Sequence, residues 1–207
     1  MSKIRSEKHI RAVLFDLGKV LFHFNFNPAF LKLSKHCLQS PRDIETYFIQ
    51  SGLEVLYDGG KLSSRQFYAQ VKKALTLRLG FEEFKKTWNG IFTPIAPMIR
   101  LVGRLKASHR LVLISNTNEM HFNFLKKHPV FKNFDRVVLS YKEKMRKPDE
   151  RFYRLAAKAC KARPREIFYI DDRADLTEAA EALGFNAFTF NNNPQELIQT
   201  MRRMGIL

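Results

Sequence analysis

An α/β fold built around a parallel sheet is what this chain predicts, and three observations predict it. Short apolar runs alternate with amphipathic stretches along most of the 207 residues, the pattern of repeated strand, loop and helix units. The apolar runs read as buried strands. Polar clusters rich in chemistry stand just after four of them, where ligands bind in open α/β sheets. The composition agrees: 45% hydrophobic and 27% charged residues describe a folded chain with room for one core and a small accessory domain.

Taken in order, the expected strands are Ala12 to Phe15, Leu111 to Ile114, Val137 to Leu139 and Ile167 to Ile170, with a fifth at Ala187 to Phe190. Ser40-Pro41, Asn193-Pro194 and Asn27-Pro28 each place a capping side chain before a proline at a first helical position. Ser40 is followed by Asp43, close to a capping box. Gly184 stands where the helix from Asp175 should end. From Asn27 to Phe92 the alternation stops, leaving helical candidates at Pro28–Leu38, Pro41–Gln50, Ser64–Leu79 and Phe81–Trp88. This predicts a core of residues 1–18 and 95–207 with a helical domain, 19–94, inserted over the sheet's carboxyl edge.

Lys plus Arg number 36 against 20 for Asp plus Glu, a net charge of +16 that attracts anions: nucleic acid, anionic membranes or phosphorylated small molecules. The basic residues are scattered, and no RNA-recognition signature, zinc-finger spacing or basic heptad segment appears. A solvated surface is the main reading and nucleic-acid binding the lesser one. Cys37 and Cys160 lie far apart without CxxC spacing, as in a reducing compartment. Met1 to Arg11 is charged rather than apolar, and no uncharged run approaches the roughly 18 residues that cross a bilayer, so a cytoplasmic protein without membrane association is expected. The oligomeric state is left open.

Four clusters carry the chemistry. In Phe15-Asp16-Leu17-Gly18, a carboxylate leaves a hydrophobic strand and a glycine allows a tight turn, although a turn aspartate has the same look. In Ser115-Asn116-Thr117-Asn118, a hydroxyl and successive backbone N–H groups suit an anion, or equally a helix cap before Glu119. In Arg146-Lys147-Pro148-Asp149, the proline keeps Lys147 out of a helix, so its ammonium can turn inward or decorate the surface. In Asp171-Asp172-Arg173-Ala174-Asp175, adjacent carboxylates at a strand end repel unless a cation compensates, and hard oxygen ligands suit magnesium.

Asp, Ser, Lys and Asp-Asp, in that order and each after a strand, resemble the four motifs of the haloacid dehalogenase superfamily over almost the whole chain. The helical stretch at 27–92 looks like that superfamily's cap. The Asp-Leu-Gly first motif is similar to that of the cytosolic sugar-phosphate phosphatase branch, of the alpha-D-glucose-1-phosphate phosphatase kind. The resemblance implies a phosphatase in which Asp16 attacks phosphorus and forms an aspartyl-phosphate. It implies magnesium held by Asp16, the Gly18 carbonyl and Asp172, with Asp171 and Asp175 in support. Ser115 and the Asn116 amide would bind the phosphoryl oxygens, and Lys147 would neutralise nucleophile and phosphate. The expected substrate is a small phosphorylated metabolite such as a hexose 1-phosphate.

One departure stands out. Most phosphatases of the superfamily carry a second aspartate two residues after the nucleophile as general acid/base, and here Gly18 occupies that position. General acid catalysis is typically worth ~10²–10⁴-fold, so alkoxides that leave poorly would be handicapped. His23 is a conceivable replacement, but between Phe22 and Phe24 it reads as a core histidine. Two other functions remain in view: a metal-independent dehalogenase attacking carbon, for which the paired aspartates would be superfluous, and a binding or regulatory protein that has lost its acid.

Overall fold

The computed structural model of the protein describes residues 9–207. The chain runs through β1 (Ala12–Phe15), β2 (Phe22–Phe24), α1 (Asn27–Leu33), α2 (Pro41–Ser51), α3 (Leu53–Asp58), α4 (Ser64–Ala74), α5 (Phe81–Asn89) and β3 (Phe92–Pro94). It continues through α6 (Ala96–Leu105), β4 (Arg110–Ser115), α7 (Glu119–Leu125), β5 (Arg136–Leu139), α8 (Ser140–Glu143), α9 (Glu150–Cys160), β6 (Ile167–Asp171), α10 (Ala174–Ala182), β7 (Asn186–Thr189) and α11 (Pro194–Arg203). Each expected strand is present, within one residue at either end.

The main sheet has the order β5-β4-β1-β6-β7, with every pairing parallel. β1 lies at its centre and is wholly buried. Successive side chains of a strand point to opposite faces, and both faces of this one are covered. Val13 and Phe15 join Met98 and Leu101 of α6 and Leu197 and Met201 of α11. Ala12 and Leu14 join Phe152 and Ala156 of α9 and Ala180 of α10. This is why the strand sequences are continuously apolar rather than alternating.

Helices α1 to α5 build a third core around aromatic rings, including Phe30, Phe48, Phe67, Phe84 and Trp88. Trp88 stacks on Phe84 at 5.7 Å between ring centroids and on His121 of α7 at the same distance. Met120 of α7 belongs to this core as well. Hydrogen bonds tie the helical layer to the sheet layer. The Met120 N–H donates to the Tyr57 hydroxyl at 3.1 Å, the Ser64 hydroxyl to Glu119 at 2.5 Å, and the Ser140 hydroxyl to the Asp58 carbonyl at 2.5 Å.

The capping box at Ser40 and Asp43 forms as expected, and Asn193 caps α11. Gly184 takes a left-handed conformation just beyond α10. Asn27 is a correction: it is the first residue of α1, and Asn25 instead accepts from its N–H at 3.0 Å. The helices expected to reach Leu38 and Leu79 stop at Leu33 and Ala74, the second where Thr76 adopts a left-handed conformation. An antiparallel pair, β2 with β3, joins the entry and exit of the helical segment. His23 lies exposed on β2, which corrects its reading as a core residue. By strand alternation it faces away from its neighbour Phe24. Among the described residues no helix is long and apolar enough to cross a membrane.

Candidate active site

Parallel register gathers the chemistry at one edge. Phe15 is level with Leu113 on one side and Ile170 on the other, so Asp16 and Asp171 emerge as neighbours from adjacent strands and Ser115 from the third. The turn after β5 and α8 brings Lys147 to the same place. Its ammonium is buried and donates to Asp16 Oδ1 at 2.6 Å and to Asp171 Oδ2 at 2.5 Å. Three of the four sequence clusters thus meet at one ammonium.

Asp16, Lys147 and Asp172 are displaced from their ordinary values. Burial pushes the Asp16 carboxyl up to about 7; Lys147 opposes the rise, and Asp171 and Asp172 add to it. Burial would lower Lys147, but the carboxylates of Asp16 and Asp171 outweigh it and hold the ammonium above its usual value. Asp172 is raised by burial and by the neighbouring Asp171, while Lys19 reaches it at 3.7 Å. Asp171 is fully bound by the protein: Tyr169 donates its hydroxyl to Oδ2, and the Arg173 N–H donates to Oδ1 at 3.0 Å.

Carboxylate oxygens of Asp16, Asp171 and Asp172 all lie within 4.8 Å of one another. Three carboxylates against one buried ammonium leave uncompensated negative charge, and a hard divalent cation is what such an oxygen set accepts. The Gly18 carbonyl takes no part in the backbone hydrogen bonds of its turn. Asp175 is a correction. Its exposed carboxylate is clamped by the Arg173 guanidinium at 2.6 and 3.0 Å and stands outside the cluster.

Ser115 is buried, and its hydroxyl makes no hydrogen bond among the described residues. The Asn116 side chain turns toward the lysine loop, accepting from the Lys147 N–H at 2.9 Å and donating to the Lys147 carbonyl at 3.0 Å. Only the Asn116 backbone amide is therefore left to meet an anion. Asn118 both caps α7, accepting from His121 N–H at 3.0 Å, and donates to Asp58 at 3.0 Å. The two readings of this loop, cap and anion cradle, are divided between its members.

Between sheet edge and helical layer lies a cavity of about 140 Å³, bordered by Gly18, Ser115 and Asn116 below. Phe24, Phe26 and Phe92 form an apolar wall, and Glu54 and Asp58 of α3 stand above. Burial pushes Glu54 up to about 7, with Asp58 adding to the rise, and pushes Asp58 up to about 6 against the Asn118 hydrogen bond. Sequence reasoning missed this acidic pair, because Leu53-Glu-Val-Leu-Tyr-Asp58 has the look of an ordinary surface helix. It also missed Tyr169, which reads as a plain strand residue.

Comparison with known proteins places this geometry. A family profile of haloacid dehalogenase-like hydrolases matches residues 10–184. A D-ribitol-5-phosphate phosphatase of Bacteroides thetaiotaomicron is 25% identical over 191 residues, covering 88% of this chain and 93% of its own. A sesquiterpene phosphatase of Aspergillus oryzae is 30% identical over 179 residues, covering 84% and 86%. A crystal structure of a HAD family enzyme from Bacteroides thetaiotaomicron, in complex with magnesium and inorganic phosphate, superposes with a TM-score of 0.81 at 23% identity, covering 91% of this chain and 98% of that one. The chain belongs to the haloacid dehalogenase-like hydrolases.

Proposed function

We propose that the protein is a magnesium-dependent phosphatase of a small phosphorylated metabolite, a sugar phosphate such as a hexose 1-phosphate, with residues 19–94 serving as the cap over its site. The observation that carries this reading is the buried Lys147 ammonium bonded to Asp16 while Asp172 stands within metal-sharing distance of the same carboxylate. A carboxylate can approach a phosphate dianion only where positive charge offsets the repulsion. Two relatives named as phosphatases support the reaction class.

Asp16 attacks phosphorus in line, forming an aspartyl-phosphate that water then hydrolyses. Lys147 holds the nucleophile in place and offsets charge on it and on the phosphate. The Ser115 hydroxyl and the Asn116 backbone amide receive phosphoryl oxygens. Asp16, Asp172 and the Gly18 carbonyl would hold the magnesium ion, which when bound supplies further charge neutralisation. Asp171 orients Lys147 beside that set rather than serving two masters.

The cavity bears on the leaving group. The cavity of about 140 Å³ is lined by polar as well as aromatic residues, a lining that suits a hydroxylated leaving group such as a sugar or short polyol. Its polar members, Glu54 and Asp58, can bond hydroxyls. The test is phosphate release from an aryl phosphate and a panel of sugar and polyol phosphates, with magnesium and with chelator. Magnesium-dependent release that Asp16→Asn abolishes is expected. Undiminished release by that variant overturns the mechanism, and halide release that survives the chelator would establish a dehalogenase instead.

A further inference from the structure

We infer that Glu54, reaching down from α3, is the general acid/base of the reaction, in place of the carboxyl that Gly18 cannot provide. The inference rests on the phosphatase reading above and adds a catalytic residue to it.

In-line attack by Asp16 drives the leaving oxygen out on the side of phosphorus away from the nucleophile. With the phosphate seated on Ser115 and Asn116, that side is the cavity under α3, whose border includes Glu54 and Asp58. An acid is needed there, and Gly18 has no side chain to supply it.

Of the two carboxyls, the structure distinguishes their duties. Asp58 is anchored: it accepts from the Asn118 side chain at 3.0 Å, its own carbonyl accepts from Ser140, and Arg146 lies close enough to favour its charge. Glu54 makes no hydrogen bond or ion pair among the described residues, although it is largely buried. Helical spacing puts the two on one face, four residues apart, where an ionised Asp58 favours a proton on Glu54. The other titratable group on the cavity, His121, is buried and pushed down to about 3, so it adds no charge near neutrality. A pair of carboxyls whose surroundings separate their roles is the arrangement that yields one acid and one fixed anion.

The steps balance. As the Asp16 oxygen bonds to phosphorus and the bond from phosphorus to the leaving oxygen breaks, the Glu54 proton passes to that oxygen and an alcohol departs. The Glu54 carboxylate then takes a proton from water as the water oxygen attacks phosphorus. The bond from Asp16 to phosphorus breaks, inorganic phosphate leaves, and Glu54 is again protonated.

Leaving-group dependence tests this. For Glu54→Gln with magnesium, a nitrophenyl phosphate should give a stoichiometric burst of nitrophenol followed by slow turnover, because an aryl oxide departs unaided while hydrolysis lacks its base. Turnover of an alkyl phosphate should fall by about 10²–10⁴-fold with no burst. The loss of wild-type alkyl-phosphate kcat above neutral pH should disappear in the variant, and Glu54→Asp should recover part of the rate. Equal losses on both substrates without a burst, or an unchanged pH profile, would overturn the role of Glu54 while leaving the phosphatase reading intact. Absence of any burst or turnover in the wild-type protein would overturn the phosphatase reading itself. Thermal melting of each variant separates misfolding from chemistry.

Discussion

The side chain of Asn116 clasps the backbone of Lys147 from both sides, accepting from its N–H at 2.9 Å and donating to its carbonyl at 3.0 Å. A flexible loop lysine thereby becomes a fixed part of the β4 end. Replacing Asn116 by Ala removes both bonds, at roughly 1 kcal/mol of stability each. Loss of support around a reacting group typically reduces activity by about 10–100-fold. The variant should melt a few degrees lower and lose mainly kcat; a normal kcat would show that the loop holds itself.

Lys147→Met should be far more damaging. It leaves Asp16 and Asp171 facing each other without the ammonium, and removing one partner of a buried ion pair typically costs about 3–5 kcal/mol. Chemical denaturation should show a loss of that order in metal-free protein, smaller in acid, where the orphaned carboxyls take protons. A loss independent of pH would mean that packing of the lysine stem, rather than charge, is what the site needs.

The pH dependence of the metal-free protein follows from the carboxyls. Asp16 is raised from 3.8 to about 7, Glu54 from 4.5 to about 7, and Asp58 from 3.8 to about 6, each first by burial. Between those limits the folded state retains protons that the unfolded chain has released, so stability falls as pH rises. His121, lowered from 6.5 to about 3 by burial, works the other way, losing stability as pH falls through that range. Three carboxyls against one imidazole give a net decline from about pH 4.5 to about 7.5 in the presence of chelator. Magnesium should restore stability at the upper end by binding the folded form. Melting midpoints across this range check it, and a midpoint that climbs steadily toward neutrality in chelator is the contrary result.

Gly18 offers a converse experiment. A Cβ there would sit 2.9 Å from the Phe24 ring, but that ring is 37% exposed and can swing aside. Gly18 is also not among the glycines with positive φ, so its backbone accepts a side chain. Gly18→Asp in the Glu54→Gln background should regain at least about tenfold in alkyl-phosphate turnover, drawing on the ~10²–10⁴ that an acid supplies. Gly18→Ala in the same background should regain nothing.

The sheet and its edge chemistry were legible because both are written locally. A strand buried on both faces is an uninterrupted apolar run, and the polar residue that follows it marks the carboxyl edge. Asp16, Ser115 and Asp171-Asp172 were found that way, and Lys147 by the proline after it, which keeps it out of a helix. What escaped is written only in three dimensions. Glu54 and Asp58 have the spacing of a solvated helix face, and only in three dimensions do Asn118, before α7, and Ser140, of α8, close on Asp58. The β2–β3 ribbon has three-residue strands, too short to show alternation, with partners some 70 positions apart. Asp175 misled because a carboxylate near two others in sequence points elsewhere once Arg173 takes hold of it.

The fastening of the helical layer to the sheet, through Tyr57, Ser64 and Asp58 on one side and Met120, Glu119 and Ser140 on the other, changes what selectivity can mean for this molecule. If the helical layer is the cap proposed above, a roof riveted at these points would leave discrimination to the shape of a standing vault.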